Sequence, residues 1–182
     1  MVTAAVALAG CGADPAEEPA DDQGVVASGD SEGAEADFTG SAMELLELII
    51  SEADALPEVV MDDVTAENAP AMLGLLADDF VSYIADAAAA MSESGGIAFQ
   101  AAIVNCRYAD DAGMIDGLIR ESFDPGKWEI AFPDRALTSV SQPYILLAAG
   151  SQAEVGGLSG AFETAAGGTA MTTVFYEGET GG

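Results

Sequence analysis

Apolar side chains recur at helical spacing just beyond residue 41, and this pattern predicts the first helix of the chain. Leu45, Leu46 and Ile49 fall on one face of that helix. Ser41 and Glu44 precede them at the spacing of a capping box, in which the serine hydroxyl and the glutamate carboxylate bind otherwise unpaired backbone N–H groups. We therefore expect a helix whose apolar face is buried against the rest of the fold.

The middle of the chain predicts a hairpin. Residues 97–107 alternate in the manner of a strand, and a turn at 94–96 with two glycines joins them to the preceding segment. That segment, 79–91, is ambiguous, because aromatic and β-branched residues favour a strand in its first half and an alanine run favours a helix in its second. The hairpin turn favours a strand for 79–91.

The second half of the chain repeats this arrangement. Asp110 or Asp111 caps a predicted helix that ends near Phe123. A short apolar segment at 136–140 follows, and residues 144–149 are a strong strand candidate because they are almost wholly apolar. We read the two segments as neighbouring strands.

Ser151 and Glu154 form a second capping box that opens a further helix, and residues 171–176 favour a last edge strand. The order is thus one helix followed by two strand-strand-helix units. Consecutive strands joined by short turns pair antiparallel, and the helices then cover a face of the sheet. The sequence therefore predicts a two-layer α+β fold of ββαββα-like order after an N-terminal helix, with an antiparallel sheet of four to five strands and helices packed on one face.

The N-terminal end carries a different signal. A short apolar run leads into Leu8, Ala9, Gly10 and Cys11, which form a lipobox, the site where a lipoprotein signal peptide is cleaved before an acylated cysteine. Residues 1–10 predict that signal peptide, and because they lack its basic n-region we expect the natural one to begin further upstream. We predict that Cys11 is lipidated and anchors the protein at the outer face of the cytoplasmic membrane or in the cell envelope.

Composition changes after the lipobox. Residues 11–40 combine many acidic residues with glycine, alanine, serine and proline and have no basic residue, so they predict a disordered tether. Residues 41–178 then predict a single domain. The whole chain has 32 acidic and 4 basic residues, a formal charge of −28. This charge excludes nucleic acid as a partner, because such binding relies on Lys and Arg to neutralise phosphates.

The residue types restrict the chemistry. The chain contains no histidine, which excludes Ser-His-Asp and Cys-His catalysis as well as histidine metal ligation. With Cys11 lipidated, Cys106 has no partner for an intramolecular disulfide, and its apolar neighbours predict a buried thiol. Paired aspartates at 62–63, 78–79 and 110–111 lack the spacing of a calcium loop. We therefore predict no catalytic residue, no cofactor and no metal site.

Two further sets of side chains are candidates for binding. We expect the basic residues to make local ion pairs, each of small energy if exposed. These residues are Arg107, Arg120, Lys127 and Arg135. We expect the large aromatic residues of the second half to pack helices onto the sheet, whereas an exposed set would bind a glycan or a peptide. These residues are Trp128, Phe132, Tyr144 and Tyr176.

Three stretches of the chain, at 42–57, 96–123 and 141–162, resemble a family of uncharacterised bacterial lipoproteins that are common in clostridia and their relatives. Members of that family carry a single domain of unknown function after a lipobox and a low-complexity tether. The resemblance rests on the order of the elements, and it implies no established activity, substrate or catalytic set. The helix after Asp111 departs from the family, because it holds one basic residue, Arg120, where relatives are richer in lysine and arginine.

Three functional hypotheses follow. The favoured one is a non-enzymatic binding or assembly module at the cell envelope, held to the membrane by its lipid and contacting an envelope protein or peptide. The alternative is an envelope hydrolase that uses carboxylates alone, with or without a divalent metal ion. The second alternative is a small-solute binding protein, which the length argues against because two-lobed receptors need a longer chain. A deep pocket with convergent carboxylates would distinguish the hydrolase.

Overall fold

A computed structural model describes residues 36–94, 96–128 and 131–178 of the protein. These residues form a six-stranded antiparallel sheet with helices packed on it. The elements in chain order are α1 (Ala42–Glu52), β1 (Val59–Asp63), α2 (Ala69–Met72), α3 (Ala77–Tyr83), β2 (Ile84–Ser92), β3 (Gln100–Cys106), α4 (Ala112–Ser122), β4 (Arg135–Ser141), β5 (Tyr144–Gly150), α5 (Gln152–Ala166) and β6 (Met171–Glu177). Short 3₁₀ turns lie at Ala109–Asp111 and Pro125–Lys127. The strands are arranged in the order β1-β2-β3-β5-β4-β6.

The α+β class, the antiparallel sheet and the ββαββα order from β2 to α5 are confirmed. The sheet has six strands, not four to five, because β1 joins it beside β2. The sequence pattern does not predict β1, because this strand is short, ends in Asp62 and Asp63, and lies at the edge of the sheet with most of its residues exposed. The last strand, β6, forms the other edge as expected.

Helices cover both faces of the sheet, so the expectation of two layers with helices on one face is wrong. The helix α4 links β3 to β4 past β5, and α5 links β5 to β6 past β4. Both connections run across the sheet toward the β6 edge, but the strands from which they start, β3 and β5, are antiparallel. Crossover connections are almost always right-handed. Two right-handed crossovers that run the same way across a sheet but start from antiparallel strands lie on opposite faces, so α4 and α5 cover different faces.

Each face has its own hydrophobic core. On the first face, α1 and α5 pack on residues such as Ala88, Ile103 and Leu146. On the second face, α2, α3 and α4 pack on residues such as Val104 and Leu147. Strands that are buried on both sides read as nearly continuous apolar runs, as β3 and β5 do.

The structure of the ambiguous segment 79–91 is the reverse of what local propensity predicts for its two halves. Its aromatic first half belongs to the helix α3, and its alanine run lies at the centre of the strand β2. Ala87–Ala90 point alternately to the two faces and are at most 3% exposed. Small side chains let helices approach the sheet closely there, so tertiary packing overrides the helix propensity of alanine.

Residues 36–40 fall within the predicted tether, but in the described part of the chain they are bound to the domain. The Ala36 N–H donates to the Gln142 carbonyl at 2.7 Å. The Tyr144 hydroxyl donates to the Gly40 carbonyl, and the ring of Phe38 packs edge-on against that of Tyr144 at 5.6 Å. The chain therefore joins the domain at residue 36, beside the β4–β5 turn.

Candidate functional site

The predicted lipid attachment site lies outside the described residues. Leu8, Ala9, Gly10 and Cys11 all precede residue 36, so lipidation of Cys11 stays a prediction. Within the described ranges, no helix has both the length and the apolar character needed to cross a bilayer.

The strand termini define two ends of the sheet. At one end Cys106 pairs with Ile84, and Ser141 pairs with Tyr144. We call this the entry end, because the hydrogen bonds of residues 36–40 join the chain to the sheet there. Seven-residue strands such as β3 rise about 3.3 Å per residue, so the opposite end lies roughly 20 Å away.

Three cavities lie toward that opposite end, which we call the cavity end and where Gln100 pairs with Met91 and Arg135 with Gly150. Their volumes are about 270, 240 and 300 Å³. Residues in the second cavity come from the loops at 96–98 and 131–134 and from the junction of β5 with α5. Loops that connect strands at one end of a rigid sheet are common places for binding sites.

The first cavity, which we call the Lys127 cavity, combines apolar walls with two opposite charges. Its lining comes from the end of α2 and the following turn, the end of α4, the 3₁₀ turn and one residue of β5. These residues are Pro70, Ala71, Met72, Leu73, Gly74, Ser122, Phe123, Asp124, Lys127 and Leu147. Gly74 has a φ of +73°, and a Cβ there would lie 2.5 Å from Cβ of Ser122, so glycine lets the turn after α2 contact the end of α4.

A buried glutamine fixes the lysine. Gln100 is fully buried at the start of β3, and its Nε2 donates to the Met72 carbonyl at 2.6 Å. Its Oε1 accepts a hydrogen bond from the Lys127 ammonium. Both ends of the buried amide are therefore paired, which offsets the cost of burying it.

Aromatic rings surround the other side of the ammonium. Lys127 Nζ lies 4.5 Å from the ring centroid of Trp128 and 5.6 Å from that of Phe123, both within the range of cation–π attraction. Phe123 also packs against Phe175 and Tyr176 of β6. This aromatic cluster orients the lysine inward.

Burial changes the acid–base character of the site. Removal from water lowers the pKa of Lys127 to about 8, against the opposing effect of the negative charge of Asp124. A lysine of ordinary pKa is fully charged at neutral pH, whereas this one approaches its titration range. A perturbed group in a cavity marks a candidate functional site on physical grounds.

The predicted ion pairs form at two of the four basic residues. Arg120 pairs with Asp116 at 3.0 Å, and Arg135 pairs with Glu177 at 2.8 Å. Arg107 instead donates to the Val81 carbonyl at 3.3 Å. For Lys127, no carboxylate in 36–94, 96–128 and 131–178 lies within 4 Å, so the expectation of a local ion pair does not hold there.

The aromatic residues mostly pack as expected. Trp128 and Tyr144 are buried, and Tyr176 packs against the cluster around Trp128. Phe132 is the exception, because 63% of it is exposed at the second cavity. The four residues therefore do not form one exposed aromatic surface.

The remaining candidates carry no chemistry in the described structure. Cys106 is a free, buried thiol, as predicted, and burial together with the charge of Asp111 raises its pKa to about 12. Asp111 occupies the N-terminal cap of α4, but its side chain makes no capping hydrogen bond. In the part of the chain that the structure describes, no three Cys, Asp or Glu side chains gather in a way that would hold a metal ion.

Sequence reasoning missed the Lys127 cavity because its parts are far apart in the chain. Met72, Gln100 and Lys127 are separated by 28 and 27 residues and meet only when α2 and α4 pack on the second face. One signal was available: Lys127 is the sole lysine of the chain and stands next to its sole tryptophan.

No protein-family model, no curated protein and no solved structure matches this chain.

Proposed function

We propose that this chain is a lipid-anchored binding module of the cell envelope, attached to the outer face of the membrane through Cys11 and binding its ligand or partner at the cavity end. The anchoring follows from the lipobox and the acidic segment behind it. The observation that carries the proposal is the separation of the two ends: the chain enters at residue 36, and the three cavities lie at the opposite end of the sheet.

This arrangement suits a tethered receptor. The point at which the described domain is tethered lies roughly 20 Å from the cavity end, so attachment to the membrane is separate from the proposed binding site. The acidic surface keeps such a domain soluble and repels it from anionic polymers. Together these features favour a binding or assembly role.

The hydrolase alternative has weaker support. A glycosidase-type mechanism needs two carboxylates, one of them desolvated enough to act as a general acid. The Lys127 cavity is lined by a single carboxylate, that of Asp124. The second cavity has two carboxylates, but Glu154 accepts a hydrogen bond from the Ser151 backbone N–H and Asp134 is exposed. In the third cavity Glu58 and Glu93 are both exposed.

The experiment follows anchoring and exposure in one strain. The chain is expressed behind a lipoprotein signal peptide with a basic n-region, with and without Cys11→Ala, and with Ser94→Cys as a reporter at the cavity end. The buried, high-pKa thiol of Cys106 is a poor target for a bulky maleimide. The chain without Ser94→Cys measures any background.

We expect the protein to be acyl-labelled and membrane-bound, to lose both properties in Cys11→Ala, and to react at Ser94→Cys with an impermeant maleimide on intact cells. Retained acylation and membrane binding in Cys11→Ala would refute the anchor. Reaction of Ser94→Cys only after lysis would place the domain inside the cell and refute the envelope role.

A further inference from the structure

We propose that the Lys127 cavity binds a small carboxylate with an apolar body, whose carboxylate pairs with the Lys127 ammonium while its body lies against Met72, Leu73 and Leu147. This inference rests on the proposed binding function and names the class of ligand. The ligand meant here is a free small molecule and not a segment of a partner protein.

In the described part of the chain, one hydrogen bond fixes the Lys127 ammonium in place. Lys127 Nζ donates to Gln100 Oε1, and Gln100 is itself held by the Met72 carbonyl. An ammonium has three N–H donors. Within the described residues Gln100 Oε1 is its hydrogen-bond acceptor, and the rings of Trp128 and Phe123 lie within cation–π distance, so N–H donors are left for a ligand oxygen.

Among the residues that the structure describes, Lys127 has no carboxylate partner within salt-bridge distance. Burying a cation without an ion partner is costly, and the pKa of Lys127, lowered to about 8 by burial, expresses that cost. A carboxylate placed beside Nζ would supply the charge that no described side chain supplies within 4 Å. The pairing would be stronger than one on the open surface, because charges interact more strongly where one of them is partly removed from water.

The acidic surface of the protein does not prevent this. Exposed charges act over a Debye length of about 8–10 Å at ordinary ionic strength, whereas a ligand at Nζ is in direct contact with the cation. Asp124 is the carboxylate that lines the same cavity; it is exposed, and its Oδ1 accepts from the Gly126 N–H at 2.8 Å. The cavity thus has a cation half-buried inside and an anion in contact with solvent.

The size of the cavity limits the ligand. A volume of about 270 Å³ is below the roughly 300–1,000 Å³ of pockets for drug-sized molecules. Two sources share the required chemistry, a simple carboxylic acid and an apolar amino acid. Asp124 distinguishes them, because it would repel the first slightly and attract the ammonium of the second.

The test uses the sole lysine of the chain as its own reporter. The full-length chain is treated with an amine-acetylating reagent, and modification of Lys127 is followed by peptide mass spectrometry against the N-terminal amine as internal reference. The probes are benzoate, phenylalanine and benzamide, the last being a neutral isostere of benzoate. Rates are measured across pH 6 to 10, around the lowered pKa of Lys127 near 8.

We expect benzoate or phenylalanine to slow acetylation of Lys127 severalfold and saturably at millimolar concentration, and to raise its apparent pKa. Each unit of increase corresponds to tenfold tighter binding to the charged lysine. Benzamide should protect far less. Stronger protection by phenylalanine that disappears in Asp124→Asn would identify the amino-acid class, and stronger protection by benzoate the simple acid.

Two variants locate the binding. Ala71→Trp fills the exposed rim of the cavity without altering Lys127 or Gln100, and should abolish protection. Arg107→Met removes one cation from the exposed surface at the entry end and should leave protection unchanged. Protection that persists in Ala71→Trp, equal protection by benzamide, or no protection by either carboxylate would overturn the proposal. None of these results depends on Cys11, so the anchoring proposal stands or falls separately.

Discussion

The two faces of the sheet are covered by different kinds of helix. On the first face α1 and α5 are 11 and 15 residues long, and each begins with a complete capping box. On the second face α2 and α3 are 4 and 7 residues long, and neither these two nor α4 begins with a side-chain capping bond. The first face is therefore built from helices that are locally well specified, and the second from helices that depend on tertiary packing.

The two faces also differ in the side chains that they bury. The first core contains Phe99 and Phe162, both fully buried. The second face buries larger polar groups, among them Gln100 and Asp116, and adjoins the Lys127 cavity. Buried side-chain oxygens that lack a hydrogen-bond partner among the described residues occur on both faces, namely Asp116 Oδ1 and Thr138 Oγ1 on the second and Ser141 Oγ on the first. The first face is thus built around large apolar side chains, whereas the second holds a buried amide that hydrogen-bonds to two residues of the Lys127 cavity.

The largest expected effect tests the first face. Leu46 and Ile49 of α1 are fully buried, so Leu46→Ala and Ile49→Ala should each lower the free energy of unfolding by about 2–5 kcal/mol through lost burial and a cavity. Glu47→Ala, on the exposed side of the same helix, should change it by less than about 0.5 kcal/mol. Urea unfolding measures all three, and similar midpoints would mean that α1 contributes little to the core.

The same contrast explains what the sequence could predict. Capping boxes at Ser41 and Ser151 lie within four residues of chain, and the helices they predict are both present. Whether helices cover one face or two depends on crossover paths through the whole sheet. The apolar residues on both sides of β3 agree with two covered faces, but such a run does not say what covers them.

Where local propensity and tertiary packing disagree, local reasoning fails. The alanines of β2 are good helix formers that become a central strand, and the residues around Phe80 are good strand formers that become α3. The Lys127 cavity is a stronger case, because the lysine meets Gln100 across 27 residues of sequence. Only the positions of α2 and α4 on the second face bring its parts together.

A pH titration tests the second face. The pKa of Lys127 falls from 10.5 to about 8 on folding, so the unfolded chain binds more protons between these values and stability should rise with pH there. The slope has an upper limit of about 1.4 kcal/mol per pH unit. The Cys106 thiol acts in the opposite sense above its unfolded pKa of 9.0, because its folded pKa is about 12. The clearest window is therefore pH 8 to 9.

Lys127→Met should remove the rise between pH 8 and 9, whatever its effect at neutral pH, where loss of the hydrogen bond to Gln100 opposes relief of the buried charge. Arg135→Met serves as the control, because its partner Glu177 is exposed. Chemical unfolding at half-unit pH steps gives the slopes. Equal slopes in the parent chain and in Lys127→Met would show that the lysine is not desolvated.

The smallest expected effect compares helix caps across the two faces. Ser151→Ala removes a hydroxyl that accepts from the Glu154 N–H at 3.3 Å, and loss of such a cap costs about 1 kcal/mol. Asp111→Ala at the start of α4 removes no capping hydrogen bond, so the loss is confined to its interaction with the helix dipole, about 0.3 kcal/mol at the lower end of such effects. Urea midpoints at matched pH separate the two values. An equal or greater loss for Asp111→Ala would mean that α4 is capped as firmly as α5, and the contrast between a locally specified first face and a packing-dependent second face would fail at its helix termini.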